Sequence, residues 1–177
     1  MGGHYNTDLI DKNGTWLRQT DRYNSSSDVS CTAAQMPRLV GLAMASKLYR
    51  TEKDFEDTKF SVNGEEVAWG TIGNASTSEG LFFESLNAAG VHQIPMVVSV
   101  WDDEYGISVD NSFQTIKGSI SEALAGFQRS KTKAGFEIFT VKGWDYPNLI
   151  HTFQKAGELA RTSVSYTHLT LPTTVFV

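Results

Sequence analysis

The sequence predicts an α/β domain in which a parallel sheet carries helices on both faces, giving three layers. Three observations predict this fold class: strand-like and helix-like segments alternate along the chain, one strand-like segment is a continuous apolar run, and turns containing glycine separate them. With 177 residues the chain is long enough for one domain with an ordinary core. We assign residues 1–163 to that domain.

The first third of the chain predicts loops, then a helix and a strand. Residues 5–33 are rich in Asn, Asp, Ser and Thr, whose side chains compete for backbone hydrogen bonds, so we expect an ordered loop layer. Apolar residues recur at helical spacing over residues 34–50, with Pro37 in the first turn. Asn63-Gly64 predicts a tight turn before a strand over residues 65–72.

The middle of the chain predicts a helix followed by the central strand. Ser76-x-x-Glu79 has the spacing of a capping box and precedes the mostly apolar stretch Leu81–Ala89, so we predict a buried helix that stops at Gly90. Ile94–Trp101 is the continuous apolar run, which is typical of a parallel strand covered on both faces.

The remaining elements repeat the alternation. Ser119-x-x-Glu122 predicts the start of a helix over residues 120–127, and residues 136–141 predict a strand. Asp145 is positioned to cap a last helix that runs to about residue 161. The order is βαβαβα, and ligands of such sheets bind beyond the carboxyl ends of the strands.

Composition and charge exclude several classes of protein. The chain is 40% hydrophobic and 20% charged and contains no run of about 18 apolar residues, so we expect no membrane span. Its net charge of −5 is spread, and no Lys/Arg stripe indicates nucleic acid. Residues 1–5 lack the pattern of a secretion signal, and Cys31 is the single cysteine, which favours a cytoplasmic location.

Polar residues follow two of the predicted strands. Gly73-Asn74-Ala75-Ser76 follows the first and precedes a helix, whose N-terminus favours an anion. Asp103 follows the central strand and offers the oxygen that Mg²⁺ prefers, and Asn74 offers an amide oxygen. A metal diphosphate would suit this pair. The alternative, which the residues alone leave open, is that they merely form a turn, a helix cap and a strand end.

Four segments carry a resemblance to a known family. These are Ser30 to Pro37, Gly73 to Gly80, Glu84 to Ala89 and Asp102 to Ser108. Together they resemble the alpha part of the thiamine-diphosphate-dependent 2-oxo acid dehydrogenase E1 component, whose motif opens with a Gly-Asp-Gly-like turn and closes with Asn-Asn-Gly-Tyr. The spacing of 29 between Asn74 and Asp103 matches that of the family's two side-chain metal ligands. The resemblance covers residues 1 to about 163 and implies a truncated thiamine-diphosphate-binding fold.

The resemblance implies thiamine diphosphate and Mg²⁺ as cofactors. The residues it places at the cofactor are Ser30, Thr32, Gly73, Asn74, Ala75 and Ser76. The metal ligands it implies are Asn74, Asp103 and the backbone carbonyl of Tyr105.

The sequence departs from the family pattern at Asn74, Asp103 and Trp101. The family usually has the acid in the first turn and the amide at the second strand end, whereas Asn74 and Asp103 have those types exchanged. An arginine that can meet the diphosphate often stands where this chain has Trp101.

The implied activity is oxidative decarboxylation of a 2-oxo acid, followed by transfer of the acyl group to a lipoyl domain of the E2 component. The Ser78-Glu79-Gly80 sequence is closer to branched-chain than to pyruvate enzymes. The resemblance also implies an E1 beta part, fused or separate, that supplies the catalytic carboxylate in an α2β2-type assembly. We therefore expect the isolated chain to be inactive.

Two other functions are weighed against this one. A transketolase-like thiamine enzyme would share the fold and the metal motif, but Gln35-Met36-Pro37 favours the E1 component. A non-catalytic α/β nucleotide-binding module would be expected to carry a Gly-x-Gly-x-x-Gly or Walker pattern, and the sequence has neither.

The remaining candidates carry weaker signals. His4 lies in the segment that leads towards the active site in the family and is retained as a weak catalytic candidate. Cys31 is interpreted as a packing thiol, and Trp69 and Trp101 as core residues. Residues 164–177 resemble the translation, in one frame, of a transposon-end adapter used in DNA library preparation. We interpret them as a non-native tail, the alternative being a genuine apolar strand.

Overall fold

The computed structural model describes residues 7–26, 29–55, 58–162 and 167–172, the last range as backbone only. Its helices are α1 (Gln35–Thr51), α2 (Gly80–His92), α3 (Ile120–Ala123) and α4 (Tyr146–Thr162). Its strands are β1 (Ala68–Gly73), β2 (Met96–Asp102), β3 (Tyr105–Gly106), β4 (Val109–Asp110), β5 (Glu137–Thr140) and β6 (Thr167–Pro172). The predicted α/β class is confirmed.

Four strands form one parallel sheet in the order β1-β2-β6-β5. In its register Gly73, the last residue of β1, lies opposite Trp101 of β2. Strands β3 and β4 form a separate antiparallel hairpin directly after β2. Because parallel strands point the same way, the turns that follow β1 and β2 meet at one edge of the sheet.

Strand β2 is buried on both faces, as the apolar run predicts. Met96, Val98 and Val100 belong to a core cluster that contains buried side chains of α1 and α2. The alternate residue Val97 belongs to a second cluster with Ala156 and Ala160 of α4. Alternation along an extended strand sends successive side chains to opposite faces, so β2 contacts different helices on its two faces.

The predicted start and end of the second helix are wrong. Residues Ala75–Ser78 form a 3-10 turn, so Ser76 does not cap α2, and the N-cap is Glu79, which makes no side-chain capping bond. The helix continues past Gly90 to His92, because Gln93 rather than Gly90 adopts the left-handed conformation that ends it, with a φ of 49°.

The third helix is shorter than predicted. Ser119 does cap it, since its Oγ accepts a hydrogen bond from the Glu122 N–H at 3.4 Å, but α3 ends at Ala123 and a 3-10 turn follows. That turn places Phe127 on Phe136 with ring centroids 5.7 Å apart. The last helix begins as predicted, with Asp145 accepting a hydrogen bond from the Asn148 N–H at 3.3 Å.

Three residues interpreted as buried are exposed. Trp69 is 43% exposed because β1 is an edge strand, although its ring stacks on Phe153. Trp101 is 58% exposed, since Gly73 opposite it has no side chain to cover the indole ring. Cys31 is also exposed, so its assignment as a packing thiol is wrong.

The chain after residue 166 contributes a strand. Its backbone over residues 167–172 lies between β2 and β5. Strand pairing uses backbone groups that every sequence provides, so this pairing does not test whether the tail is native. In the described part of the chain, no helix combines the length and the apolar character that a membrane span requires.

Candidate functional site

A cleft of about 620 Å³ opens at the carboxyl ends of β1 and β2. It is bounded by the loop before α1, the turn after β1 and residues 104–118, which follow β2 and which we call the strap. The lining residues are Thr32, Gly73, Asn74, Ala75, Ser76, Trp101, Asp103, Tyr105, Gly106, Ile107 and Gln114. The cleft thus occupies the edge at which a parallel sheet binds ligands.

The turn after β1 holds a buried amide with an unsatisfied donor. The Asn74 N–H donates to the Trp101 carbonyl at 3.0 Å, and the Asn74 carbonyl accepts from Thr77 Oγ1 at 2.5 Å. Asn74 is 2% exposed, and its Nδ2 has no hydrogen-bond partner among the described residues. An unmatched buried donor costs roughly 1–3 kcal/mol, so a ligand that accepts a hydrogen bond there would recover part of that free energy.

The two acids at the end of β2 lie in different environments. Asp102 is buried, and burial raises the pKa of its carboxyl group. Asp103 is exposed and lines the cleft, where its Oδ1 accepts a hydrogen bond from the Tyr105 N–H at 3.1 Å. Alternation along the strand therefore directs Asp103, and not Asp102, to the cleft.

The cleft offers little positive charge from side chains. Among its lining residues none is Lys, Arg or His, and Asp103 is the one acid. Trp101 presents an indole ring whose Nε1 donates to Ser99 Oγ at 3.1 Å. A diphosphate in this cleft would meet a carboxylate and an aromatic ring, so its charge must be balanced by a cation bound with it.

Most of the predicted site residues come together in this cleft. Seven line it, namely Thr32, Gly73, Asn74, Ala75, Ser76, Asp103 and Tyr105, and their roles as ligands stay predictions. Ser30 is exposed on the loop that carries Thr32 but does not line the cleft, and His4 lies outside the described residues. The predicted α2 N-terminus beside the turn is displaced, because the 3-10 turn separates Asn74 from Gly80.

Sequence reasoning missed two residues of the cleft, Trp101 and Gln114. The sequence analysis interprets Trp101 as a core residue, and no motif indicates Gln114, which reaches the cleft from the strap. Ile107 lies within the segment that resembles the family, but the sequence assigns it no role. Within the described residues, no group of three His, Cys, Asp or Glu side chains could hold a metal ion. The predicted metal set is consistent with this finding because it uses one carboxylate, one amide and one backbone carbonyl.

Comparison with known proteins assigns a family. Residues 18–162 match the family model described as "Dehydrogenase E1 component". Over 132 residues the chain is 29% identical to the 2-oxoisovalerate dehydrogenase subunit alpha of Bacillus subtilis (strain 168), covering 75% of this chain and 34% of that protein. The chain spans about a third of that relative's length. It belongs to the dehydrogenase E1 component family, which uses thiamine diphosphate, and it is similar to the alpha part of a 2-oxo acid dehydrogenase.

Proposed function

We propose that the protein containing this chain decarboxylates a 2-oxo acid with thiamine diphosphate and Mg²⁺, and that this chain supplies the metal-diphosphate half of the active site. The observation that carries the proposal is the cleft itself, in which Asn74, Asp103 and Tyr105 line one cavity at the ends of β1 and β2. The register supports it further, since Gly73, directly before Asn74, lies opposite Trp101, which is two residues before Asp103.

The residues present fit a metal diphosphate better than a free diphosphate. The amide oxygen of Asn74, the carboxylate of Asp103 and the carbonyl of Tyr105 are hard oxygen donors of the kind that Mg²⁺ binds. The buried Nδ2 of Asn74 would donate to a diphosphate oxygen. Because Asp103 is the one acid that lines the cleft, it would provide the protein's charge on the ion.

The cofactor, when bound, supplies the carbanion chemistry, and the protein positions it and excludes competing reactions. In this chain Asn74 and Asp103 would fix the metal, and the turn over residues 73–76 would hold the diphosphate. Thr32 and Ser30 would lie beside the aminopyrimidine ring. The catalytic carboxylate would come from an E1 beta part, so we propose that the isolated chain has no decarboxylase activity.

The proposed substrate and partners rest on the similar protein and on the sequence. We propose a branched-chain 2-oxo acid, because the similar protein is a 2-oxoisovalerate dehydrogenase subunit alpha. Acyl transfer to an E2 lipoyl domain and an α2β2-type assembly complete this proposal. The exposed free thiol of Cys31 suits a reducing cytoplasm. The contacts of β2 with different helices on its two faces support a three-layer domain over residues 1–163.

The test is calorimetric titration of the full-length protein, with its own residues after Ser163, by thiamine diphosphate in the presence and absence of Mg²⁺. We expect Asp103→Ala to weaken Mg²⁺-dependent binding by about 10- to 100-fold or more, since losses on that scale already follow when groups that only orient metal ligands are removed. Asn74→Ala should cost less, since water can replace a neutral oxygen in the Mg²⁺ shell. Asp54→Ala, at an exposed acid outside the cleft, is the matched control.

A double variant separates charge from position. Asn74→Asp combined with Asp103→Asn restores the usual family arrangement at unchanged charge and should retain much of the binding. Wild-type affinity in Asp103→Ala would show that this acid only ends a strand and that the metal assignment is wrong. Release of CO₂ from 2-oxoisovalerate or pyruvate by the isolated chain would contradict the proposed need for a beta part.

A further inference from the structure

The strap contains little regular structure of its own. Its hairpin has two ladder pairs, Tyr105 with Asp110 and Gly106 with Val109. Ile107, in the turn of the hairpin, has a φ of +59°, which is unfavourable for a β-branched residue. A hairpin of this size is marginal in water, so contacts outside the ladder must hold it in place.

Gln114 makes such contacts. Its side-chain Nε2 donates to the Val109 carbonyl at 3.0 Å, and its backbone carbonyl accepts from Ser78 Oγ at 3.2 Å. Its N–H donates to the Asn111 carbonyl at 3.0 Å. One residue therefore joins the hairpin to the turn after β1.

The Gln114 amide also lies against the backbone of Gly106. A Cβ added at Gly106 would lie 2.5 Å from Gln114 Nε2 and 2.8 Å from Gln114 Oε1. It would lie 2.6 Å from the Cβ of Ala75. The backbone that directly follows the Tyr105 carbonyl is thus confined by Gln114 and Ala75, and only glycine leaves room for both.

We propose that Gln114 is a positioning residue that fixes the direction of the Tyr105 carbonyl towards the metal. This inference rests on the proposed function, in which that carbonyl is the third protein ligand. A backbone carbonyl cannot reorient without rotating its peptide plane. The plane here continues into Gly106, so the group packed on Gly106 controls where the carbonyl oxygen points.

The experiment measures binding of Mn²⁺ to the full-length protein in the presence of excess thiamine diphosphate by electron paramagnetic resonance, and the unfolding midpoint is measured beside it. Gln114→Met keeps the length of the side chain and removes its donor. We expect the dissociation constant for Mn²⁺ to rise about 10-fold, the lower end of losses caused by groups that orient metal ligands, with an unfolding midpoint close to that of the wild type. Gln154→Met, at an exposed position of α4, should change neither quantity.

A second variant tests the contact with Gly106. Gly106→Ala should also weaken Mn²⁺ binding, and its cost should be smaller in a Gln114→Ala background, because the displaced amide is then absent. Additive losses would contradict the contact. Equal Mn²⁺ affinity in wild type and Gln114→Met would overturn the positioning role. Loss of affinity accompanied by a large drop in the unfolding midpoint would do the same, because the residue would then be structural only. A wild type that binds no Mn²⁺ would instead refute the proposed metal site itself.

Discussion

Glu104 has an unfavourable backbone conformation that glycine would relieve. Its φ is +68°, in the left-handed region, and two hydrogen bonds hold it there. Its N–H donates to Asp102 Oδ1 at 3.0 Å, and its carbonyl accepts from the Asn111 N–H at 2.8 Å. In the family motif that this segment resembles, glycine stands at the position of Glu104.

The expected gain in stability of Glu104→Gly is the difference between two opposing contributions. An L-residue in the left-handed region costs about 1–2 kcal/mol, which glycine does not incur. Glycine loses more conformational freedom on folding, at a cost of roughly 0.5–1 kcal/mol. We therefore expect Glu104→Gly to raise the free energy of unfolding by about 0.5–1 kcal/mol.

A second variant is the control for the carboxylate charge that Glu104→Gly also removes. The Glu104 carboxylate contributes to the raised pKa of Asp102, after burial, so removing it changes electrostatics as well as backbone strain. Glu104→Gln removes the charge and keeps the strain. Because the side chain is exposed, we expect this variant to lie within about 0.5 kcal/mol of the wild type. Urea unfolding without metal measures the free energy of unfolding of the wild type, Glu104→Gly and Glu104→Gln. If Glu104→Gly is no more stable than Glu104→Gln, the reasoning from the backbone is refuted.

Three further predictions concern other parts of the chain. Gly64→Ala should cost about 3 kcal/mol in urea unfolding, since its φ is +70° and the new Cβ would lie 2.4 Å from the Ser46 carbonyl oxygen. Gly14→Ala, with a similar φ but open space around it, should cost about 1 kcal/mol, and equal losses would contradict the packing argument. The folded-state pKa of Asp102 is raised above 3.8, so ionisation of this residue should lower the free energy of unfolding as pH rises from about 3.8 through the raised pKa. Asp102→Asn should remove this pH dependence, and identical plots of the free energy of unfolding against pH for the variant and the wild type would contradict the prediction. We propose that the chain from Val164 onward is not native, and amplification of the locus from unfragmented DNA would overturn this if it returned the same codons.

The sequence by itself determined the α/β class and most of the helices and strands, because their periodicity is a local property. The apolar run of β2 predicted a strand buried on both faces, and Asp145 and Ser119 predicted helix starts that the structure confirms. The predicted strands placed Asn74 and Asp103 just beyond two strand ends, and parallel pairing brings such ends to one edge.

Only the tertiary structure decided which side chains face the cleft. Ser76 has the spacing of a cap, yet the buried Thr77 anchors a 3-10 turn there, so the local signal is overridden. Trp101 is exposed because its neighbour on β1 is glycine, which depends on the strand register. Gln114 reaches the cleft because the strap folds back onto the turn after β1. Register and chain path join residues that are distant in sequence, and no periodicity or motif spacing within a segment encodes them.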